Sequence, residues 1–160
     1  MLKCKKFIIS YILLFNTLAF GNLIRPTDGE ELNYIHIFFE WEQEPDAANY
    51  ILQVSNQQFF NNIILNIEEI TTVYIDTENL EWNGTYYWKI RPVYDNSELG
   101  EWSEISNFSI GEKQFPDREA GIYNEDLIQD GLVAFGGFAP DFASAVIDKY
   151  GNEIWNTGEE

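Results

Sequence analysis

Short runs of alternating apolar and polar residues, each closed by a turn-forming sequence, fill the chain from residue 22 to residue 110. Successive side chains of a β-strand point to opposite faces, so this alternation indicates strands with one buried face. The turn signals recur about every 8–12 residues, a spacing typical of all-β sandwiches. The sequence therefore predicts an all-β fold, a seven-stranded antiparallel sandwich with strands near 23–26, 35–41, 50–55, 63–67, 73–75, 86–91 and 108–110.

Aromatic residues supply the core of the predicted sandwich. The chain has 5 Trp, 9 Tyr and 12 Phe, and one aromatic side chain buries about 150–250 Å². The only cysteine is Cys4, so the sandwich region has no disulfide and depends on burial for its stability. The residues expected in the core are Trp41, Tyr50, Leu52, Val54, Leu80, Tyr86, Trp88 and Ile90.

Four parts of the chain carry a specific likeness. They are Trp41 at a strand end and the segments 50–55 (YILQVS), 86–91 (YYWKIR) and 100–103 (GEWS). Together they resemble a fibronectin type III domain of the bacterial extracellular kind, over about residues 22–111. The resemblance implies an immunoglobulin-like sandwich and says little about function, because this sandwich hosts many functions.

A tyrosine corner belongs to the same resemblance. Leu80, six residues before Tyr86, is similar to the corner of that family, in which the tyrosine hydroxyl bonds back to the backbone. Trp82 stands where the family often has proline. We therefore expect the corner to be present and its turn to differ.

The first 21 residues have the organisation of a secretory signal. Three lysines precede the apolar run 7–20, and small residues lie at Ala19 and Gly21. We expect cleavage after Gly21 and a secreted or periplasmic protein that does not associate with a membrane afterwards. An uncleaved anchor is the alternative, but the run is shorter than the roughly 20 apolar residues that a membrane span needs.

The charge of the chain excludes some partners. There are 27 acidic and 9 basic residues, a net charge of −18, and loss of the three signal lysines takes it to −21. Such a surface repels phosphate backbones and anionic lipid, so we expect no nucleic-acid partner. Cations or a basic patch on a partner are compatible with this charge, although solubility is the simpler explanation for it.

The composition changes after the sandwich. Residues 112–130 are predicted to be an acidic linker, and residues 131–160 alternate like a small sheet that ends without a closing element. Three strands are too few to bury both faces of a sheet alone. The segment is therefore expected either to dock on the sandwich or to open a repeat architecture that continues beyond it.

The stretch 144–155 (SAVIDKYGNEIW) is a predicted strand, a turn and a return strand ending in Trp. It resembles the opening of the β-propeller in bacterial aryl sulfotransferases, which are exported and often carry a β-sandwich ahead of the propeller. The resemblance implies that residues 131–160 begin an incomplete propeller-like domain. That family transfers sulfuryl groups between phenolic compounds through a histidine in the propeller channel, and His36 does not match that position.

Residues that usually carry catalysis or metal binding are sparse. His36 is the only histidine, whereas zinc sites need clustered Cys and His. Asn124, Glu125, Asp126 and Asp130 lack the alternating spacing of a calcium loop, so a solvated acidic linker is the expectation. No nucleophile, base and orienting group can be placed together. We expect no catalytic residue, no metal, no cofactor and no enzyme activity in this chain.

The candidate interaction face has five residues. Tyr87, Lys89 and Arg91 alternate with predicted core positions and should point outward, and Trp82 and Trp102 lie in or near turns. Aromatic groups beside two cations suit a partner or a neighbouring domain. An ordinary solvated strand face is the alternative.

Two functions remain open from the sequence. The first is a non-catalytic N-terminal accessory or interaction module of an exported aryl-sulfotransferase-like protein, whose partners are the other domains of a longer parent chain. The second is a free-standing secreted binding or adhesion domain of the fibronectin type III kind, whose partner is an extracellular protein or a glycan. The second function requires residues 131–155 to pack on the sandwich and to bury Phe135, Ile147 and Trp155.

Overall fold

A computed structural model describes residues 21–115, 124–127, 130–137 and 143–158. The predicted signal segment, residues 1–20, lies outside the described residues. Within the described part, eleven β-strands and one short 3₁₀ helix form the regular structure. No helix among these residues is long and apolar enough to cross a membrane.

Eight strands form two facing sheets, and three more form a small third sheet. The first sheet has the order β1-β3-β6, the second β2-β8-β7-β4-β5, and the third, which we call the tail sheet, β11-β10-β9. This confirms the predicted all-β sandwich. The strands are β1 Leu23–Arg25, β2 Glu30–Leu32, β3 Ile37–Trp41, β4 Ala47–Ser55, β5 Ile63–Glu69, β6 Val73–Asp76, β7 Thr85–Tyr94, β8 Ser106–Ile110, β9 Val133–Gly137, β10 Ala143–Ile147 and β11 Glu153–Asn156.

The sandwich departs from the prediction in one strand. It has eight strands rather than seven, because β2 pairs with β8, and this pair is parallel whereas the other pairs are antiparallel. β2 begins with Glu30 and Glu31, and of its three residues only Leu32 is buried. Two adjacent acids hide the alternation that reveals a strand in sequence.

The core lies between the two large sheets, where all eight of the predicted core residues are buried. Aromatic rings meet there edge to face, an arrangement that ring quadrupoles favour. Phe39 lies 5.2 Å from Trp88 and 5.9 Å from Phe108, measured between ring centroids. Trp41 lies 5.5 Å from Tyr50. These contacts join β3 of the smaller sheet to β4, β7 and β8 of the larger one.

A tyrosine corner pins the turn that leads into β7. The hydroxyl of Tyr86 accepts a hydrogen bond from the backbone N–H of Glu81 at 3.0 Å and donates one to the Glu81 carbonyl at 3.3 Å. The Tyr86 ring lies directly over Gly84, where an added Cβ would come within 2.4 Å of a ring carbon. The turn itself passes through Asn83, which has a φ of 65°. Glycine is therefore needed at position 84 by the close approach of the ring.

We predict that Tyr86→Phe lowers the free energy of unfolding by about 1–3 kcal/mol, because both backbone groups of Glu81 lose their partner in a half-buried position. Urea unfolding followed by tryptophan fluorescence measures the change. Tyr94→Phe is the matched control, since the Tyr94 hydroxyl makes no hydrogen bond in the described part of the chain. Equal stability of the two variants would contradict the role assigned to the corner.

Candidate binding face and tail interface

Strand β7 presents one face to the core and the other to the outside. Tyr86, Trp88 and Ile90 are buried, whereas Lys89 and Arg91, at the alternate positions, are half-buried. The two cations point away from the core because side chains alternate along a strand. At these positions β7 is paired with β4 on one side, and the segment 100–103 bonds to it on the other, since the pairing with β8 ends at Trp88.

Trp102 is brought over this face by the segment that runs beside the end of β7. Gly100 N–H bonds to the Pro92 carbonyl at 2.9 Å, and Ser103 N–H bonds to the Ile90 carbonyl at 2.8 Å. A Cβ at position 100 would lie 2.6 Å from the Pro92 ring, so only glycine permits this approach. Ser103 is buried and its Oγ accepts a hydrogen bond from the Ile90 N–H at 3.1 Å. With Ser103 turned inward, Trp102 faces outward.

Two cations and two aromatic rings meet above β7. Lys89 Nζ lies 3.9 Å from the centroid of the Phe60 ring and 4.4 Å from that of Trp102. Arg91 Cζ lies 4.6 Å from the Trp102 centroid. Each contact is within the range in which an aromatic face attracts a cation. We call Phe60, Lys89, Arg91 and Trp102 the cation–aromatic cluster.

The loop between β4 and β5 positions Phe60. The buried Ser55 accepts a hydrogen bond from Gln57 N–H at 3.0 Å and donates one to the Asn62 carbonyl at 2.6 Å, which fixes both ends of the loop. Phe60 has a φ of 54° and donates its N–H to the Gln57 carbonyl at 2.9 Å. Its neighbour Phe59 is 82% exposed. The sequence prediction left out both phenylalanines, although two aromatic residues inside a polar loop were a signal.

The two cations of the cluster lie against the same ring, that of Trp102. Burial, with Arg91 beside it, lowers the pKa of Lys89. Neither cation makes a hydrogen bond or an ion pair within the described part of the chain, and Arg91 Nε is buried without a partner. The rings attract both cations but leave N–H donors unused.

Trp82 does not lie on the same surface as the cation–aromatic cluster. It was predicted to share a face with Tyr87, Lys89, Arg91 and Trp102, whereas the structure packs it against the edge of the core. Its indole N–H donates to the Glu153 carbonyl of the tail sheet at 3.0 Å. That long-range contact, which no local pattern reveals, separates Trp82 from the other four residues.

A segment of the sandwich pairs with the edge strand β11 of the tail sheet. Ile35 N–H bonds to the Ile154 carbonyl at 3.0 Å, and Asn156 N–H bonds to the Asn33 carbonyl at 3.0 Å. An antiparallel bridge joins Tyr34 to β11 between them. The segment 33–35 therefore acts as a fourth strand next to β11.

A buried carboxylate holds the segment after β8 against the tail sheet. Glu153 is 2% exposed. Its Oε1 accepts hydrogen bonds from Gln114 N–H at 3.1 Å and from Asn156 Nδ2 at 2.7 Å, and its Oε2 accepts one from Phe115 N–H at 2.9 Å. Asn156 also donates to the Glu112 carbonyl at 3.0 Å. A buried carboxyl group is tolerated when its oxygens are hydrogen-bonded in this way.

Among the described residues, no strand pairs with the opposite edge of the tail sheet. All five residues of β9 are exposed, and Phe135 is 37% exposed although its ring meets Phe115 at 5.6 Å. Ile147 and Trp155 are half-buried. The docking that the second function requires is therefore present, but the expected burial of Phe135 is wrong, because β9 lies farthest from the sandwich.

The other candidate site residues do not converge. His36 is half-buried immediately before β3. Asn124 and Asp126 lie at the 3₁₀ helix, where Asp126 N–H bonds to Asn124 Oδ1 at 3.2 Å. Lys149 contacts the Asp130 carboxylate at 2.6 Å, which lowers the Asp130 pKa. Among the residues that the structure describes, no three His, Cys, Asp or Glu side chains are grouped to hold a metal ion.

Comparison with known proteins gives a structural likeness. A crystal structure described as a Fn3-like protein from Clostridium thermocellum is 17% identical to this chain, with a TM-score of 0.46. The match covers 61% of this chain and 97% of that one. No protein-family model matches the chain, and no curated protein matches it. At this level of similarity, nothing about ligand or partner transfers from that protein.

We predict that Glu153→Gln loosens the tail sheet. Whichever way the glutamine amide turns, its NH₂ group faces a backbone or side-chain N–H donor, and the loss should be about 1–3 kcal/mol. The rate of tryptic cleavage after Lys149, between β10 and β11, measures the opening of the sheet. Glu101→Gln, which removes an exposed carboxylate, is the control for charge. Equal cleavage rates in both variants would show that Glu153 does not hold the tail.

Proposed function

We propose that this chain is an exported, non-catalytic accessory module whose sandwich holds the tail sheet in a fixed position. The observation that carries the proposal is the joint, that is, the set of contacts between the sandwich and the tail sheet. Segment 33–35 completes one edge of the tail sheet, and Glu153 fixes the segment after β8 to it. A sheet of three strands needs such support to be stable.

In the finer form of the proposal, the module is the N-terminal part of an aryl-sulfotransferase-like protein, and the tail sheet begins its propeller. Two features support this form. The sequence of 144–155 resembles the opening of that propeller. Among the described residues no strand pairs with the outer edge of β9, an uncharged strand of Val133, Ala134, Phe135 and two glycines. Native proteins usually protect such edges with charge, proline or another strand. Further strands of a longer parent chain would cover this one.

The non-catalytic role rests on the chemistry of the described residues. The hydroxyls that bond to carboxylates in the described residues, those of Thr27 and Thr71, lie in exposed turns, and His36 lies outside the strands. The two cations held against rings suit binding. Localisation in the periplasm or outside the cell follows from the predicted signal segment and is part of the proposal.

A free-standing secreted binding or adhesion domain is the second candidate function. The docking of the tail sheet favours it, because the joint with the sandwich would stabilise both parts without further chain. The cation–aromatic cluster favours it as well, since it offers an outward surface for an extracellular protein or a glycan.

The reading frame beyond the codon for Glu160 distinguishes the two functions. The accessory module predicts that the frame continues for several hundred codons, with recurring Asp-x-x-Gly turns and several histidines. Sequencing of the genomic DNA measures this directly. A stop codon immediately after Glu160 would refute the accessory module and leave the free-standing domain.

A further inference from the structure

We propose that the cation–aromatic cluster, together with the exposed Phe59 that precedes Phe60 in the chain, binds a sugar that carries a single carboxylate, within an otherwise neutral glycan. The proposal goes beyond the accessory role and does not depend on it, because the cluster lies on the sandwich and not at the tail sheet. Four observations carry it.

The first observation is charge placement. The chain has 27 acidic residues and 9 basic ones, yet two of its cations lie side by side with no carboxylate within ion-pair distance in the described residues. Elsewhere, Arg25 pairs with Glu40 at 3.8 Å and Lys149 with Asp130 at 2.6 Å. Adjacent cations raise each other's energy, and an anion between them removes that cost. The cluster is thus complementary to a negative group.

The second observation is the set of unused donors. Lysine carries three N–H donors and arginine five, and a ring face satisfies the charge but not the donors. Neither Lys89 nor Arg91 makes a hydrogen bond in the described part of the chain, and because Arg91 Nε is buried, a ligand would meet the terminal NH₂ groups of the guanidinium. A carboxylate has two acceptor oxygens, and arginine can bind both at once. The donors are therefore suited to a carboxylate.

The third observation is the flat apolar surface beside the cations. Phe59 is 82% exposed, and Phe60, Tyr87 and Trp102 are half-buried and keep part of their surface open. An aromatic face carries negative partial charge, and a pyranose ring presents a face of C–H groups to it. A ligand with a sugar ring next to its carboxylate would contact rings and cations together.

The fourth observation selects between ligand classes. β7 is paired with β4 along the cluster and with β8 as far as Trp88. Beyond Trp88 the segment 100–103 bonds to the β7 backbone at Ile90 and Pro92, so no free strand edge lies at the cluster. An extended peptide, which binds by adding a strand, has no edge to pair with there. A densely charged polyanion is repelled by a chain of net charge −18. A neutral glycan with a single acidic sugar needs no free strand edge and is not densely charged.

The test compares glucuronoxylan, a neutral polysaccharide with sparse glucuronate branches, with the uncharged arabinoxylan. Affinity electrophoresis of the purified full chain in gels containing each polysaccharide measures binding. We expect retardation by glucuronoxylan only. Lys89→Gln and Arg91→Gln should each weaken it roughly tenfold, because a charge-assisted hydrogen bond is lost. Phe59→Ala, which removes an exposed ring, should weaken it several-fold.

Arg25→Gln is the matched control, because it removes one positive charge at a distance from the cluster. Its affinity should equal that of the unaltered protein, and thermal unfolding of each variant verifies that the sandwich is intact. Three results would overturn the proposal. They are no binding, equal binding of arabinoxylan, and equal weakening by Arg25→Gln and Arg91→Gln. Free glucuronate and a short Glu-containing peptide are compared as competitors for glucuronoxylan binding. If the peptide competed at the same concentration as glucuronate, the choice of a sugar would be overturned.

Discussion

The alternation of side chains along β7 is the constraint on which the rest of the structure depends. One face of this ten-residue strand supplies Tyr86, Trp88 and Ile90 to the core, and the other supplies Lys89 and Arg91 to the surface. A shift of one residue in its pairing would exchange the two sets and bury both cations. The tyrosine corner at its start and the Ser103 hydrogen bonds near its end fix that register. The core and the cation–aromatic cluster therefore both depend on the register of β7.

Sequence reasoning predicted the elements that repeat locally and missed the ones that depend on distant contacts. The period of two found seven of the eight sandwich strands, because each has one buried apolar face. It missed β2, which is recognisable only from its pairing with β8, nearly 80 residues later. It also placed Trp82 on the wrong surface, since its partner Glu153 lies 71 residues away. Phe60 joined the cluster through a loop conformation that no strand period describes.

The tail sheet shows how a small sheet can obtain stability from a neighbour. Its buried positions include Glu153 and Asn156, polar residues whose hydrogen bonds cross to the segment after β8. Hydrogen bonds of this kind fix the orientation of the tail sheet as well as stabilising it, because the three donors reach the Glu153 carboxylate in only one arrangement. A purely apolar contact would allow the two surfaces to shift relative to each other. The joint therefore favours a fixed angle between sandwich and tail sheet, which a spacer or platform requires.

The two surfaces of the sandwich can be used at the same time. Trp82, segment 33–35 and the residues after β8 bring the tail sheet to the end of the sandwich where β7 begins. Arg91 lies six residues farther along β7, which corresponds to about 20 Å at roughly 3.3 Å per residue. A ligand on the cation–aromatic cluster would not displace the tail sheet. Support of a following domain and recognition of a glycan are therefore compatible in one molecule, and loss of either contact should leave the other intact.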